Sequence, residues 1–511
     1  MLRVGTRPVR SILSKMNKRY FHLVITLLLG LCVGLFWAIA HPEALSYQEQ
    51  NQLFLCTADY FLHCISIPGG ITDWMAEGLT QFYFYPAMGG IVLALLFMTL
   101  QAGCRAVFPS SLLSILPALL ILLYMGDFDV LLSYPVAIAL TLGCFVITAE
   151  SHLWLKAILT PLLAWCTGPV AILYPFLLLW QRWKKGILLL IICIISLFVS
   201  FRLLSSPQYP TFTILWGINY HRLVLKVGAA PAMQWIILIV IAVSPGLHLL
   251  HKELFSGGRN QKMLATLDFS LSLCLILVST LPTPLTNHFY ERNAYAILKQ
   301  SYLIRRSAWN EILDEAKKWQ QEGLLVAKSD EYCTAVNLSL AMTDRMDEHF
   351  TDYPQTGFTG LLSNNHHDNI SGIPTMEAFF QMGLISEAMH YAFDMQESIS
   401  NYRKSARFIR RLVECNIILG DYKVADKYLC QLEQTLFYRD WARSARQTLA
   451  DGTAMHHEPW GRLRSYCLTD DEFFQPHLAA IVVRKLYLHN RGNRIARQYL
   501  MAYTKLLQTR P

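Results

Sequence analysis

Up to about residue 285 the chain is a succession of apolar runs near 20 residues long, separated by short polar breaks or by Pro and Gly. One helical crossing of a bilayer needs a run of that length, because about 20 residues rising ~1.5 Å each cover the hydrocarbon core. Runs at 21–40, 86–103, 108–125, 130–148, 186–204, 233–250 and 265–283 each predict one such helix. Residues 154–185, WLKAILTPLLAWCTGPVAILYPFLLLWQRWKK, are too many for one crossing and are interrupted by Pro161, Gly168 and Pro169, so they read as a broken hairpin of two. The pattern therefore predicts about nine spans. Beyond 285 the apolar positions thin out among Glu, Lys, Arg and Gln, which predicts a soluble tail. The expected fold class is all-α: a basic leader at 1–20, a polytopic helical bundle at 21–284 and a soluble helical domain at 285–511.

Charge placement adds sidedness. The leader carries Arg3, Arg7, Arg10, Lys15, Lys18 and Arg19, whereas the loop 41–85 has no Lys or Arg. Cytoplasmic flanks concentrate Lys and Arg, so the amino terminus is expected in the cytoplasm and the loop outside it. Nine crossings then put Arg105, QRWKK and HKELFSGGRNQK on the cytoplasmic side and the tail on the outer side, while eight would put QRWKK outside. The first apolar run is long and lacks a clear small-x-small cleavage pattern, so it reads as an uncleaved anchor. A composition of 53% hydrophobic and 16% charged residues fits a multi-pass protein of the cytoplasmic membrane. The net charge of +8 is spread over span ends and tail without a basic stripe, so nucleic acid is not an expected partner.

Within the tail, MGLISEAMHYAFDMQE (382–397) aligns without gaps to LGDYKVADKYLCQLEQ (419–434). Each places a Gly (Gly383, Gly420), a large apolar residue two later (Ile385, Tyr422) and a small Ala three beyond (Ala388, Ala425). Small residues there let helices approach closely. The pattern resembles the tetratricopeptide repeat, whose stacked helix pairs build concave surfaces for protein or peptide partners. SAWNEILDEAKKW (307–319) and GNRIARQYLMAY (492–503) look like weaker copies.

Six cysteines lie in apolar runs and behave as small hydrophobes, and a Cys56–Cys64 disulfide in the first loop is left open. The patches at His366, His367, Asp368 and at His456, His457, Glu458 read as loop histidines, because neither has a companion ligand at helical spacing.

Ionisable groups that could carry chemistry gather in the segments expected outside. The first loop holds Glu49 and, further on, Asp73, Trp74 and Glu77 in PGGITDWMAEGLTQFYFYP. Asp73, Trp74 and Glu77 read as an interfacial helix lying along the headgroups. The turn MGDFDV supplies Asp127 and Asp129, and the segment after the 186–204 run supplies Arg202, Arg222 and Lys226. A cytoplasmic start, Glu49 in SYQEQNQLF soon after the first span, a second outer acidic pair and a Pro-broken hairpin ending in QRWKK resemble the integral-membrane C-superfamily of glycosyltransferases. The resemblance implies Glu49 as the base on an acceptor hydroxyl, Asp127 and Asp129 in support with a divalent metal, and Arg202, Arg222 and Lys226 on the phosphate of a polyprenyl-linked sugar. It further implies transfer to a glycan or protein acceptor outside the cytoplasmic membrane. The strings LGDYKVADKYL, TLFYRDWA and RIARQYLMAY look closer still to uncharacterised bacterial multispanning proteins, a resemblance that covers nearly the whole chain and brings no activity. Two other readings stand beside the enzyme: a non-catalytic repeat scaffold for envelope assembly, and an O-antigen ligase or polymerase.

Overall fold

A computed structural model describes residues 7–107, 111–203, 220, 229–254, 261–280, 291–363, 368–400, 403–468 and 478–508. Among them the chain is helical, with no strand. Two compact units form: Met1–His41 with Ala58–Tyr290, and Pro42–Thr57 with Glu291–Pro511. Part of the loop 41–85 thus belongs to the second unit.

In the first unit the helices are α1 (Arg7–Leu35), then, after α2 (Pro42–Gln50) of the second unit, α3 (Ala58–Ile65), α4 (Gly70–Thr80), α5 (Pro86–Val107), α6 (Ser111–Tyr124), α7 (Ser133–Ile147), α8 (Leu153–Thr167), α9 (Leu173–Leu179), α10 (Trp183–Leu203), α11 (Ala229–Leu254) and α12 (Gln261–Thr280). Small residues bring α1 and α5 together: a Cβ on Gly90 would stand 2.6 Å from the Gly34 carbonyl oxygen. Deeper in, Thr26 Oγ1 donates to Gln101 Oε1 at 2.6 Å and Gln101 Nε2 donates to Ser114 Oγ at 2.9 Å, so a polar thread ties α1, α5 and α6. In an apolar bundle such groups must satisfy one another, since no water is at hand to do so.

Among the described residues four helical stretches are long and apolar enough to cross a membrane: His22–Ala40, Pro86–Val107, Leu153–Leu179 and Trp183–Ser200. Leu113–Tyr124, Ser133–Ile147, Ala232–Gly246 and Ser270–Thr280 are apolar but shorter. Among the described residues the full-length candidates are therefore four, not about nine. Hydropathy counts apolar residues, whereas a crossing needs them in one continuous helix, and α6 and α7 are only 14 and 15 residues long.

The stretch Leu153–Leu179 is continuous by length but not straight. Lys156 near its start and Leu178 and Gln181 at its end line the same small cavity, so the chain doubles back across Gly168–Ile172. Gly168 takes φ of +62° there, a left-handed turn that other residues reach only at a cost. α10 then packs along both α8 and α9.

The second unit joins α2 to α13 (Arg292–Arg305), α14 (Trp309–Gln321), α15 (Asp330–Met342), α16 (Met346–His349), α17 (Ile373–Met382), α18 (Ile385–Glu397), α19 (Ala406–Leu419), α20 (Tyr422–Leu432), α21 (Arg439–Ala450), α22 (Trp460–Arg464), α23 (Ala479–His489) and α24 (Arg494–Gln508). Consecutive helices pack on one another from α17 to α21. Ala388 and Ala425 are fully buried at these contacts, and Ile385 is buried, but Tyr422 is 42% exposed.

Among the described residues six connections of the second unit share one backbone form, and in four of them the next α-helix starts two residues beyond the turn. Each has a residue of positive φ followed by a residue whose N–H reaches back into the preceding helix, the Schellman closure. In those four the positive-φ residues are Ser307, Asp344, Gly383 and Gly420, at intervals of 37, 39 and 37 residues, while Gly323 and Gly452 close in the same way, Leu324 to Trp319 (3.1 Å) and Thr453 to Thr448 (3.2 Å), and lead into short 3-10 turns. The closing bonds run from Ala308 to Leu303 (3.0 Å), Arg345 to Leu340 (2.8 Å), Leu384 to Phe379 (2.9 Å) and Asp421 to Asn416 (2.8 Å).

Substitution at these turns separates backbone strain from crowding. A Cβ on Gly383 would lie 2.5 Å from Tyr466 Cβ, while on Gly420 it would meet only the end of Arg464 at 3.1 Å. Gly420→Ala is expected to cost about 1–2 kcal/mol from the left-handed backbone, and Gly383→Ala more than that. Ser307→Gly relieves the same strain and stabilises. Hydrogen exchange of the flanking helices in the full-length protein measures all three.

Candidate functional site

The buried polar cluster of the second unit is built around α2. Pro42 and Glu43 open that helix, one with a preset φ and no donor to strand, the other an acid where a helix start favours one. α2 packs on α13. At its end Glu49, 2% exposed, takes a charge-assisted hydrogen bond from Arg305 Nη1 at 2.7 Å. The same nitrogen donates to Ser46 Oγ at 3.0 Å, and Nη2 donates to the Tyr438 hydroxyl at 2.8 Å. Burial works against the charge on Arg305, but Glu49 and Tyr438 outweigh it and hold the guanidinium above its ordinary pKa. Burial raises Tyr438 to about 12, against the pull of Arg305.

A second arginine lies beside the first. Arg407 is pushed below its ordinary pKa by burial and by the charge of Arg305, and it stands at the start of α19, where a cation is poorly placed. Oxygen donors compensate: Arg407 Nη1 donates to Gln50 Oε1 at 2.7 Å and to Ser301 Oγ at 3.0 Å. The segment after α2 is held as well. Gln50 Nε2 donates to the Asn369 carbonyl at 2.9 Å, Asn369 Nδ2 donates to Asn51 Oδ1 at 2.8 Å, and the Cys56 N–H reaches the Gln434 carbonyl at 2.8 Å. Residues 42–57 are thus gripped by side chains and backbone drawn from α13, α19 and two connections. One turn further along α19, Arg411 bonds Glu377 at 2.6 Å and Glu414 at 2.9 Å and lies 3.6 Å over the Phe380 ring.

The remaining predicted residues belong to the first unit or fall outside the described residues. Asp127 and Asp129 occupy the turn between α6 and α7, where the Asp129 N–H donates to Asp127 Oδ1 at 3.1 Å. Asp129 is 4% exposed. The turn continues to Leu131, whose N–H donates to the Tyr220 carbonyl at 2.9 Å, and the Tyr220 hydroxyl donates to the Thr167 carbonyl. Burial and the charge of Asp73 push that hydroxyl up. Gly69 N–H donates to the Trp165 carbonyl at 2.7 Å and Thr72 Oγ1 to the Cys166 carbonyl at 2.7 Å, which seats α4 on the end of α8. Four predicted acids therefore share one end of this bundle: Asp73, Glu77, Asp127 and Asp129. Glu77 is buried and accepts from the Tyr60 hydroxyl, and Trp74 meets the Phe61 ring edge-on at 5.0 Å. α4 packs against α7 and α8 rather than resting on one face alone.

Arg202 is in the last turn of α10, its side chain outside the described residues, and Arg222 and Lys226 lie outside them altogether. His366 and His367 do too, and no group of three or more His, Cys, Asp or Glu among the described residues is disposed to hold a metal. Cys56 and Cys64 are not joined by a disulfide and lie in different units. The chemistry of Arg305 and Arg407 escaped the sequence reading, because an Arg on an amphipathic helix reads as a solvated charge until its partner, here more than 250 residues earlier, is brought to it.

An all-helical chain that joins apolar, membrane-type helices to a second helical unit is thereby defined. It belongs to the family of unknown function DUF6057, which matches residues 17–509. No curated protein and no solved structure matches the chain.

Removing one partner of a buried ion pair strands the other in low dielectric, at about 3–5 kcal/mol. Glu49→Ala and Arg305→Met singly are each expected to destabilise the second unit by that order, and the double variant by less than their sum. Urea denaturation of the detergent-solubilised full chain, read by hydrogen exchange in α13 and α19, checks the coupling. Additive losses would show that the pair carries nothing.

Proposed function

We propose that the chain is a multispanning membrane protein whose second unit is a tetratricopeptide-like repeat domain that recruits a protein or glycan partner in the cell envelope without catalysing a reaction. The observation that carries this reading is the engagement of Glu49. A general base must reach its substrate proton, and Glu49 is 2% exposed and spends its carboxylate on Arg305. Glycosyl transfer from a polyprenyl-phosphate sugar would require that pair to open. The four of these connections that lead directly into an α-helix, spaced 37, 39 and 37 residues apart, support repeats of helix pairs. The grip on residues 42–57 supports a surface suited to holding a further stretch of chain.

The same grip bears on topology. A segment folded into a domain shares that domain's side of the membrane, so the loop after the first span and the tail would lie together. With a cytoplasmic amino terminus, this asks for an odd number of crossings in all, α1 included, hence an even number between residues 57 and 291, and an extracytoplasmic tail.

Two outcomes test these statements. Cys56 and Cys430 are exposed thiols in the second unit. In intact spheroplasts both are expected to react with a membrane-impermeant maleimide, and protection of either one until lysis would undo the shared outer side. Glu49→Gln combined with Asp127→Asn is expected to leave the cellular glycan profile unchanged while removal of 291–511 abolishes function. A glycan lost in the point variants, with the second unit still folded, would restore the enzyme.

A further inference from the structure

Two cavities in the first unit border the end of α9. One is a groove of about 630 Å³ between α9 and α11, with Phe176, Leu179, Trp180, Leu238, Ile239 and Ala242 among its apolar walls. The other, of about 70 Å³, is lined by Lys156, Arg182 and Lys185 together with Ser151 and Gln181. Leu179 and Trp180 line the groove and Leu178, Gln181 and Arg182 line the smaller cavity, so an apolar slot and a cationic pocket flank the same end of α9.

The pocket is unbalanced in charge. Lys156 is 8% exposed, and its Nζ donates to the Ala149 carbonyl at 3.0 Å. No carboxylate lines the cavity, and among the described residues no ion pair joins Lys156, Arg182 or Lys185 to the exposed Glu150 nearby. Three cations around one small space, one of them buried, call for an anion. The level of the pocket is marked by tryptophans: Trp154, Trp180 and Trp183 are 63%, 47% and 62% exposed, the girdle that indoles form at the headgroups. The Trp180 indole is pinned there, its Nε1 donating to the Ala242 carbonyl at 2.7 Å.

We propose that groove and pocket form one site for a membrane lipid with an anionic phosphate headgroup. The acyl chain lies between α9 and α11, and the phosphate sits among Lys156, Arg182 and Lys185. Charge complementarity selects the headgroup, and the depth of the apolar slot selects a lipid over a free anion. The site is independent of the proposed role of the second unit.

Native mass spectrometry of the detergent-purified full-length protein, titrated with phosphatidylglycerol, phosphatidylcholine or inorganic phosphate, tests it. Phosphatidylglycerol is expected to bind more tightly than phosphatidylcholine with the same chains. Arg182→Gln and Lys185→Gln, both at exposed positions, should each weaken phosphatidylglycerol about five-fold and leave phosphatidylcholine unchanged. Ala242→Trp, which fills the groove, should weaken both lipids. As a check that needs no groove-filling variant, phosphatidylglycerol with brominated chains should quench tryptophan fluorescence less in Trp180→Phe than in the wild type. Equal binding of the two lipids, indifference to the Arg182 and Lys185 substitutions, or displacement of phosphatidylglycerol by an equal concentration of inorganic phosphate would overturn the proposal.

Discussion

The second unit is closed by one ion pair between residues 256 positions apart, Glu49 just after the first apolar helix and Arg305 at the end of α13. Around it the physical chemistry is demanding. Two guanidiniums, Arg305 and Arg407, share a partly dry space with a single directly paired carboxylate, and like charges at that range repel. What makes the arrangement tenable is the set of oxygens from residues 42–57, with Ser46, Glu49 and Gln50 each accepting from one of the two arginines. Withdrawing the segment would leave both cations in a space that had lost three acceptors. The segment is therefore part of the fold of the second unit.

In the first unit the sorting is by end. The acids at 73, 77, 127 and 129 and the apex of the α8–α9 hairpin gather at one end, linked through Tyr220, Thr167 and Leu131. Lys156, Arg182 and Lys185 gather at the other. A bundle whose helices run alternately up and down produces this segregation only if each turn's charge matches its end, and the amino-acid sequence respects the rule through the whole hairpin. The buried amides and hydroxyls between the ends are paired with one another, as at Gln101 with Ser114 and at Tyr124 with Gln234. Such pairs fix helix registers where apolar contacts alone would slide.

The helical class, the membrane-type character of the first unit and the Gly-marked hairpins at 383 and 420 were legible in the sequence because each is a local property. Hydropathy and one left-handed residue per turn are written in adjacent positions. The turn at Ser307 showed only as the start of the weaker copy 307–319, and the one at Asp344 was hidden, because both adopt the left-handed backbone without glycine. The count of crossings was not legible either: a run such as 130–148 counts as full length by composition, yet the helix it forms, α7 (Ser133–Ile147), has only 15 residues. Least legible was the fate of Glu49. Its neighbours Gln48 and Gln50 suggest a solvated loop, and the partner that buries it is set by tertiary contact.

The tether geometry explains why such a partnership can persist. Residues 42–57 are covalently joined at both ends to the first unit, at 41–42 and at 57–58, so the segment never diffuses away from the arginines it satisfies. Its effective concentration at the second unit is set by chain length, not by protein concentration. A free peptide competing for the same acceptor positions would have to match that local concentration and also supply a carboxylate where Glu49 stands, 2.7 Å from Arg305. Occupation by the chain's own segment is for that reason the stable state of this surface, and a recruited partner would meet the faces of the second unit that residues 42–57 leave uncovered.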